Sequence, residues 1–181
     1  MRYMIASDIH GSGYYANLMM ERFLASGAEK LILLGDILYH GPRNDLPRDY
    51  DPKFVSKLLN GHAGKILAVR GNCEAEVDQM MLSFPVLGEY AYLVLAGAVI
   101  YASHGHHASE SAPPPLGKNE ILLCGHTHVP KCAEHDGFIY MNPGSVSIPK
   151  ENSPNSYMML EDGVFSWMNI ETGEKYMEYR V

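Results

Sequence analysis

Hydrophobic positions in the first half of the chain follow two alternating rhythms. Short apolar runs at Tyr3 to Ser7, Leu31 to Leu34 and Lys65 to Val69 predict buried strands. Between the first two, Tyr15, Leu18, Met19 and Phe23 recur at helical spacing from Tyr14 to Ala25, and Gly27 supplies the stop. Asp51-Pro52 predicts an N-cap followed by proline at the first helical position, opening a helix to about Asn60. After about residue 88 only strand signals remain, at Tyr92 to Leu95, Val99 to Ala102 and Ile121 to Cys124. Weaker ones follow at Phe138 to Met141, Tyr157 to Leu160, Val164 to Asn169 and Tyr176 to Tyr179. Ala96-Gly97, Asp136-Gly137, Asp162-Gly163 and Thr172-Gly173 punctuate this half as turns. An α/β first half and a strand-rich second half predict two packed β-sheets with helices outside. No repeat, low-complexity stretch or linker divides residues 1–181, so a single domain is expected.

The polar residues that interrupt this pattern are not scattered. Asp8-Ile9-His10-Gly11, Gly35-Asp36, Gly71-Asn72, His104 and Gly125-His126-Thr127-His128 each follow a predicted buried strand directly. Strand ends that share one sheet edge are where α/β proteins place their sites. Singly these motifs are weak. Asp-x-His reads first as a capped strand end, Gly-Asp as a turn, and the histidine pair as hydrogen-bonded surface residues. Together they assemble two carboxylates, one amide and four imidazoles. That set is too large for one tetrahedral ion and suits two ions sharing a carboxylate. The hard N/O donors favour Mn²⁺, with Fe, Zn²⁺, Co²⁺ or Ni²⁺ as alternatives. Two such ions ~3.5–4 Å apart can generate a bridging hydroxide and hold both oxygens of an in-line displacement at phosphorus.

Composition narrows the setting. The chain is 46% hydrophobic and 19% charged, which describes a folded protein with a sizeable core. Its net charge of −7 argues against stable nucleic-acid binding and against an anionic membrane surface. Bound cations can reverse the field locally, so an anionic substrate remains compatible. No apolar run approaches the ~20 residues of a membrane helix, and Asp8 and His10 interrupt the N-terminal segment before it could serve as a signal peptide. Three cysteines, Cys73, Cys124 and Cys132, show no pairing pattern, and a cytoplasmic location is expected.

The ordered motifs Asp8-x-His10, Gly35-Asp36, Gly71-Asn72-Cys73-Glu74, His104 and Gly125-His126-Thr127-His128 resemble those of the calcineurin-like metallophosphoesterases. Leu38 to Asn44 and Asn142 to Ser147 are similar to segments of the small YfcE-type bacterial and archaeal phosphodiesterases. The resemblance implies a four-layer α-β-β-α sandwich of two mixed sheets. It implies one metal bound by Asp8, His10 and His128 and a second by Asn72, His104 and His126, with Asp36 bridging. Two ions, two carboxylates and a hydroxide leave the centre at about +1, attractive to a phosphoester within an acidic chain. Asp36, Asn72 and His104, with Cys73 as a further candidate, would then be catalytic, Asn72 would also touch substrate, and a small phosphoester, most plausibly a diester, would be that substrate.

Cys73 is the departure. Most of the superfamily carries histidine there to protonate the leaving group or steady phosphoryl oxygens, and a thiol is a poorer acid near neutrality. His106 is a candidate for catalysis or substrate contact, Arg43 for gripping phosphate, and Glu74 for support from behind the centre. His107 is expected to be exposed, and His40, His62 and His135 to be structural. Residues 37–50 and 105–118 are long enough to wall a substrate pocket. The resemblance also implies a dimer or tetramer. An alternative function is a scaffold that keeps the fold without catalysis, as a retromer subunit of the superfamily does.

Overall fold

The computed structural model describes residues 1–181. Strands β1 (Arg2–Ala6), β2 (Lys30–Leu33) and β3 (Ile66–Ala68) run parallel, joined through helices α1 (Gly13–Ser26) and α2 (Pro52–Asn60). After α3 (Glu76–Met81) the chain crosses to a second sheet made of β4 (Tyr90–Leu95), β5 (Ala98–Ser103), β6 (Glu120–Leu123), β7 (Lys131–Glu134) and β8 (Phe138–Asn142). It then returns through β9 (Ser156–Glu161), β10 (Val164–Asn169) and β11 (Lys175–Arg180). The six-stranded sheet has the order β11-β10-β9-β1-β2-β3 and the five-stranded sheet β4-β5-β6-β8-β7. Both sheets are mixed. β9 pairs antiparallel to β1, whereas β5, β6 and β8 are parallel neighbours in the other sheet.

Strand alternation decides what each sheet face meets. Met4, Ala6, Leu31 and Leu33 point to one side of the six-stranded sheet and pack with Ala16, Met19, Phe23, Val55 and Leu59 of α1 and α2. Their neighbours Tyr3, Ile5, Ile32 and Leu34 point the other way, into a cluster of 15 buried residues shared with Ile100, Ile121, Leu123 and Met141. Trp167 lies wholly inside that shared layer, where its Nε1 donates to the Asn142 carbonyl at 2.7 Å and ties the two sheets together.

The expected caps and turns are present. Asp51 accepts from the Phe54 amide with Pro52 behind it, and Gly27 closes α1 in the left-handed conformation at φ 68°. Ala96-Gly97 and Asp162-Gly163 both have φ > 0 at the two central positions, which matches the right-handed twist of the flanking strands.

The two-sheet sandwich stands as expected, but helices flank only one of its faces. The outer side of the five-stranded sheet holds a small cluster of Leu122, Cys124 and Tyr140, against which Leu116 of loop 105–119 packs in place of a helix. Tyr90, Tyr92 and Val94 on edge strand β4 remain more than half exposed. Strand β7 and helix α3 are additions to the elements predicted above. No helix is long and apolar enough to cross a membrane.

Candidate metal centre

Parallel strands explain why distant motifs meet. The loops that leave β1, β2 and β3 carry Asp8, Asp36 and Asn72, and those that leave β5 and β6 carry His104 and His126. Two parallel trios packed face to face therefore deliver their C-terminal loops to one edge of the sandwich. All seven expected donors are brought together there, and Asp8, His10, Asp36, His104 and His128 are buried.

Three of the four histidines are aimed by a hydrogen bond on the far nitrogen. His10 Nδ1 donates to the Tyr39 carbonyl at 2.8 Å, His104 Nδ1 to Leu34 at 2.6 Å and His128 Nδ1 to Ile148 at 2.7 Å. A carbonyl only accepts, so Nδ1 carries the proton and Nε2 turns its lone pair inward. His10 Nε2 and His128 Nε2 then face each other at 3.3 Å. His104 Nε2 lies 3.2 Å from His126 Nδ1, 3.1 Å from Asn72 Oδ1 and 3.4 Å from Asp36 Oδ2. Asp8 Oδ1 sits 3.2 Å from His128 Nε2 and 3.6 Å from His10 Nε2, buried and without any hydrogen-bond donor. Such spacings are the edges of a coordination polyhedron with ~2.1 Å bonds, in which donors ~90–110° apart stand about 3.0–3.4 Å from one another. The donor set therefore fits divalent cations. Asp8, His10 and His128 form one close group, and Asp8, Asp36 and His104 another.

Electrostatics agree. Burial pushes the Asp8 carboxyl up, but the close imidazoles of His10, His128 and His104, when protonated, outweigh it and hold the group well below the usual carboxylate range. Burial lowers His104, while the carboxylates of Asp36 and Asp8 raise it to about 9 overall. In the metal-free chain, protons supply the positive charge that this cluster of lone pairs demands.

The backbone is strained where the donors sit. Asp8, His10, Asp36, His126 and His128 all have φ between 50° and 67°, a left-handed region that non-glycine residues rarely adopt. Such conformations cost of order 1–3 kcal/mol each and persist only where surrounding contacts over-determine them. Those contacts are visible. Ser145 Oγ and Ser147 Oγ both donate to the Asp8 carbonyl, at 2.8 and 3.1 Å, and the His126 amide donates to Asp8 Oδ2 at 3.0 Å. Asn142 Nδ2 holds the Gly125 carbonyl at 2.7 Å. Buried Glu74 accepts from the amides of Gly71, Ile37 and Asp36 at 2.5, 2.7 and 2.9 Å, clamping the loop after β3 to the loop after β2. A side chain at Gly71 would run into Asp36 and Glu74, and one at Gly125 into Ser7. Sequence reasoning did not single out Ser145, Ser147 or Asn142 as supports; their runs of small polar residues after β8 were the available signal.

A polar cavity of about 460 Å³ opens over the donors, and its walls include Asn72, Cys73, Arg43 and Lys150. Cys73 lies at its base, its amide donating to Asp36 Oδ1 at 2.9 Å and its thiol to Asp36 Oδ2 at 3.3 Å. Burial, then the facing carboxylates of Asp36 and Glu74, push that thiol well above its ordinary range, so it stays neutral. His106 is not in this cavity. It lines a separate recess of about 50 Å³ with His104, Glu89, Tyr101 and His107, its ring 5.4 Å from that of His104. Gly105, at φ 111°, bends the chain between His104 and His106. His107 is exposed, as expected.

The comparisons with known proteins place this edge in context. Residues 1–162 match the family described as the calcineurin-like phosphoesterase superfamily domain. The phosphodiesterase YfcE of Escherichia coli K12 is 46% identical over 166 residues, covering 92% of this chain and 90% of that protein. A solved structure of YfcE, described as a phosphoesterase from E. coli, superposes with a TM-score of 0.96 at 42% identity, covering 99% of each chain. The zinc complex of Vps29 from Entamoeba histolytica shares the fold, with a TM-score of 0.61 at 20% identity over 100% of this chain and 98% of that one. The chain belongs to the calcineurin-like phosphoesterase superfamily and is a metal-dependent phosphoesterase of it.

Proposed function

We propose that the chain hydrolyses phosphodiesters at a dinuclear divalent metal centre. Asp8, His10 and His128 would hold one ion, Asn72, His104 and His126 the other, and Asp36 would bridge them. The observation that carries this reading is the pair His10 Nε2 and His128 Nε2, 3.3 Å apart and facing, beside the buried, donor-less Asp8 Oδ1. Without a cation these lone pairs repel one another.

When bound, two divalent ions supply Lewis acidity toward phosphoryl oxygens and an ionisable water. The remaining work belongs to side chains. Backbone carbonyls of Tyr39, Leu34 and Ile148 fix the imidazoles so that no reorganisation accompanies turnover. Asn72, which reaches the cavity with its amide, orients the phosphoryl group, and Arg43 on the cavity wall draws in the anionic substrate. Neutral Cys73 donates to Asp36 and steadies the bridge, which leaves it poorly placed to protonate a leaving group. His106 touches His104 from behind and acts on that ring's position, not on substrate. The complete, converging donor set stands against the scaffold alternative.

Manganese is the first metal to test, because the donors are mostly hard oxygen and imidazole. The homo-oligomer that the resemblance implies would find apolar surface at Tyr90, Tyr92 and Val94. Free Cys73, Cys124 and Cys132 fit a reducing cytoplasm. The deciding experiment is hydrolysis of bis(p-nitrophenyl) phosphate with added Mn²⁺. Turnover that a chelator abolishes and metal restores is expected. No hydrolysis with any of Mn²⁺, Co²⁺, Ni²⁺, Fe²⁺ or Zn²⁺ would favour the scaffold instead.

A further inference from the structure

The cavity over the donors carries two cations that the chemistry at the metal centre does not consume. Arg43 stands on one wall and Lys150 on another, and neither side chain makes a hydrogen bond or an ion pair. In a chain with 21 acidic residues against 14 basic ones, these two basic groups share the walls of one cavity, and neither is neutralised by a carboxylate. They would also stand beside a centre that is already positive when loaded, so mutual repulsion opposes the arrangement unless an anion enters.

Both cations are held at the cavity by backbone that serves the centre itself. The Lys150 amide donates to the His128 carbonyl at 3.2 Å, and the Lys150 carbonyl accepts from the Ser153 amide and hydroxyl at 3.0 and 2.6 Å. Glu151 and Asn152 between them both adopt φ near 55–58°, which closes a tight turn and fixes where Lys150 leaves the backbone. On the facing loop, Asn44 ties back to Gly41 and to the His40 carbonyl, and Gly41 lies against the Cys73 sulfur. Arg43 thus rides on a short loop anchored to the base of the cavity.

What the cavity lacks is equally defined. Of its 12 lining residues only one is hydrophobic, and none is Phe, Tyr or Trp. A nucleobase or aryl group entering it finds no aromatic face to stack on and little apolar surface to bury. Asn44 and Thr127 add polar groups to the same walls.

We propose that Arg43 and Lys150 form a second anion subsite, and that the substrate class is a small phosphodiester bearing another anionic group, a phosphate or a carboxylate, on the arm next to the scissile phosphorus. This rests on the phosphodiesterase reading above. The scissile phosphoryl group occupies the metal centre while the second anion bridges the guanidinium and the ammonium. Arg43 offers a planar fork for two oxygens and Lys150 a point charge. Neutral and nucleoside arms gain nothing from either.

The test uses full-length, manganese-loaded protein and two p-nitrophenyl phosphodiesters that share a leaving group and differ only in the retained arm, 2-methoxyethyl against 2-(phosphonooxy)ethyl. At low salt the anionic arm should raise kcat/KM by about tenfold or more, the range expected for charge-assisted contacts. In Lys150→Met, which keeps the aliphatic stem, the ratio between the two substrates should fall severalfold, and in the Arg43→Met/Lys150→Met double variant it should approach one. A ratio near one in the parent, or one that the double variant leaves intact, overturns the subsite while hydrolysis of both esters upholds the enzyme reading. Absence of hydrolysis of either ester sinks that reading separately. Calorimetry then tests the subsite without turnover. Inorganic pyrophosphate should bind about tenfold more weakly to the double variant than to the parent, with orthophosphate less affected. Equal effects on the two anions, or none, contradict the proposal.

Discussion

At the scale of single residues, Asp36 and Cys73 are coupled. The Asp36 carboxylate accepts from the Cys73 amide and thiol, lies 3.4 Å from His104 Nε2 and stands 3.7 Å from His10 Nε2. It therefore reaches histidines of both groups of donors, and its charge is what two ions would share. Asp36→Asn should lower kcat/KM by more than ~100-fold and weaken metal retention, whereas Arg43→Ala should act mainly on KM. Comparable, mild kinetics for both variants would contradict this order. Cys73 makes a different prediction. Its thiol is held neutral and engaged with Asp36, so no strong acid stands beside the leaving group. Log kcat should then fall steeply as leaving-group pKa rises, and Cys73→His should flatten the line if the imidazole can turn toward the cavity. A shallow slope in the parent would mean that another group delivers the proton.

At the scale of elements, the sandwich brings five loops to one edge, and their strain is held by contacts between loops. Glu74 is the main clamp, accepting three amides from two different loops. Burial raises its carboxyl to about 7 even though each of these amides favours the ionised form. Glu74→Gln replaces one acceptor oxygen with a donor that would face N–H groups, and should destabilise the fold by roughly 2–3 kcal/mol. It should also loosen metal binding by about 10–100-fold. Thermal unfolding and metal titration read both effects, and a stable variant with parental metal affinity would remove the clamp from the account.

The convergence of the seven candidate donors on one edge was legible in the sequence because their motifs follow apolar runs, and a strand end leaves few directions for the next residue. The clamp's partners and the left-handed backbone at Asp8, His10, Asp36, His126 and His128 were not legible. They depend on contacts between loops more than 30 residues apart, such as Asp36 N to Glu74 Oε2 and Ser145 Oγ to Asp8 O. The position of His106 was open for a related reason. Spacing alone could not say that it lines a recess separate from the cavity over the donors. Helix α3 has only six residues, too few to show a helical period, and half-exposed β7 has little apolar pattern.

For the molecule as a whole, the balance of charge decides how metal and protons compete. Net charge is −7, yet the donor edge collects a positive field once it is loaded. In the metal-free chain His104 is raised to about 9, so at pH 7 it carries a proton that binding must displace. Metal affinity should therefore climb between pH 7 and 9 by up to about tenfold per unit and level off above. The sign for stability follows. A histidine pKa raised in the folded state stabilises the metal-free fold below about 6.5, and that contribution disappears as pH rises through about 9. Calorimetry across buffers of different ionisation enthalpy would register the released proton, and a flat affinity profile would contradict it. The most direct test of the central claim is anomalous scattering from crystals soaked in Mn²⁺. Two peaks ~3.5–4 Å apart with the Asp36 carboxylate between them are expected, one beside Asp8, His10 and His128 and the other beside Asn72, His104 and His126. A single isolated peak, or none within bonding distance of Asp36, would contradict the dinuclear centre.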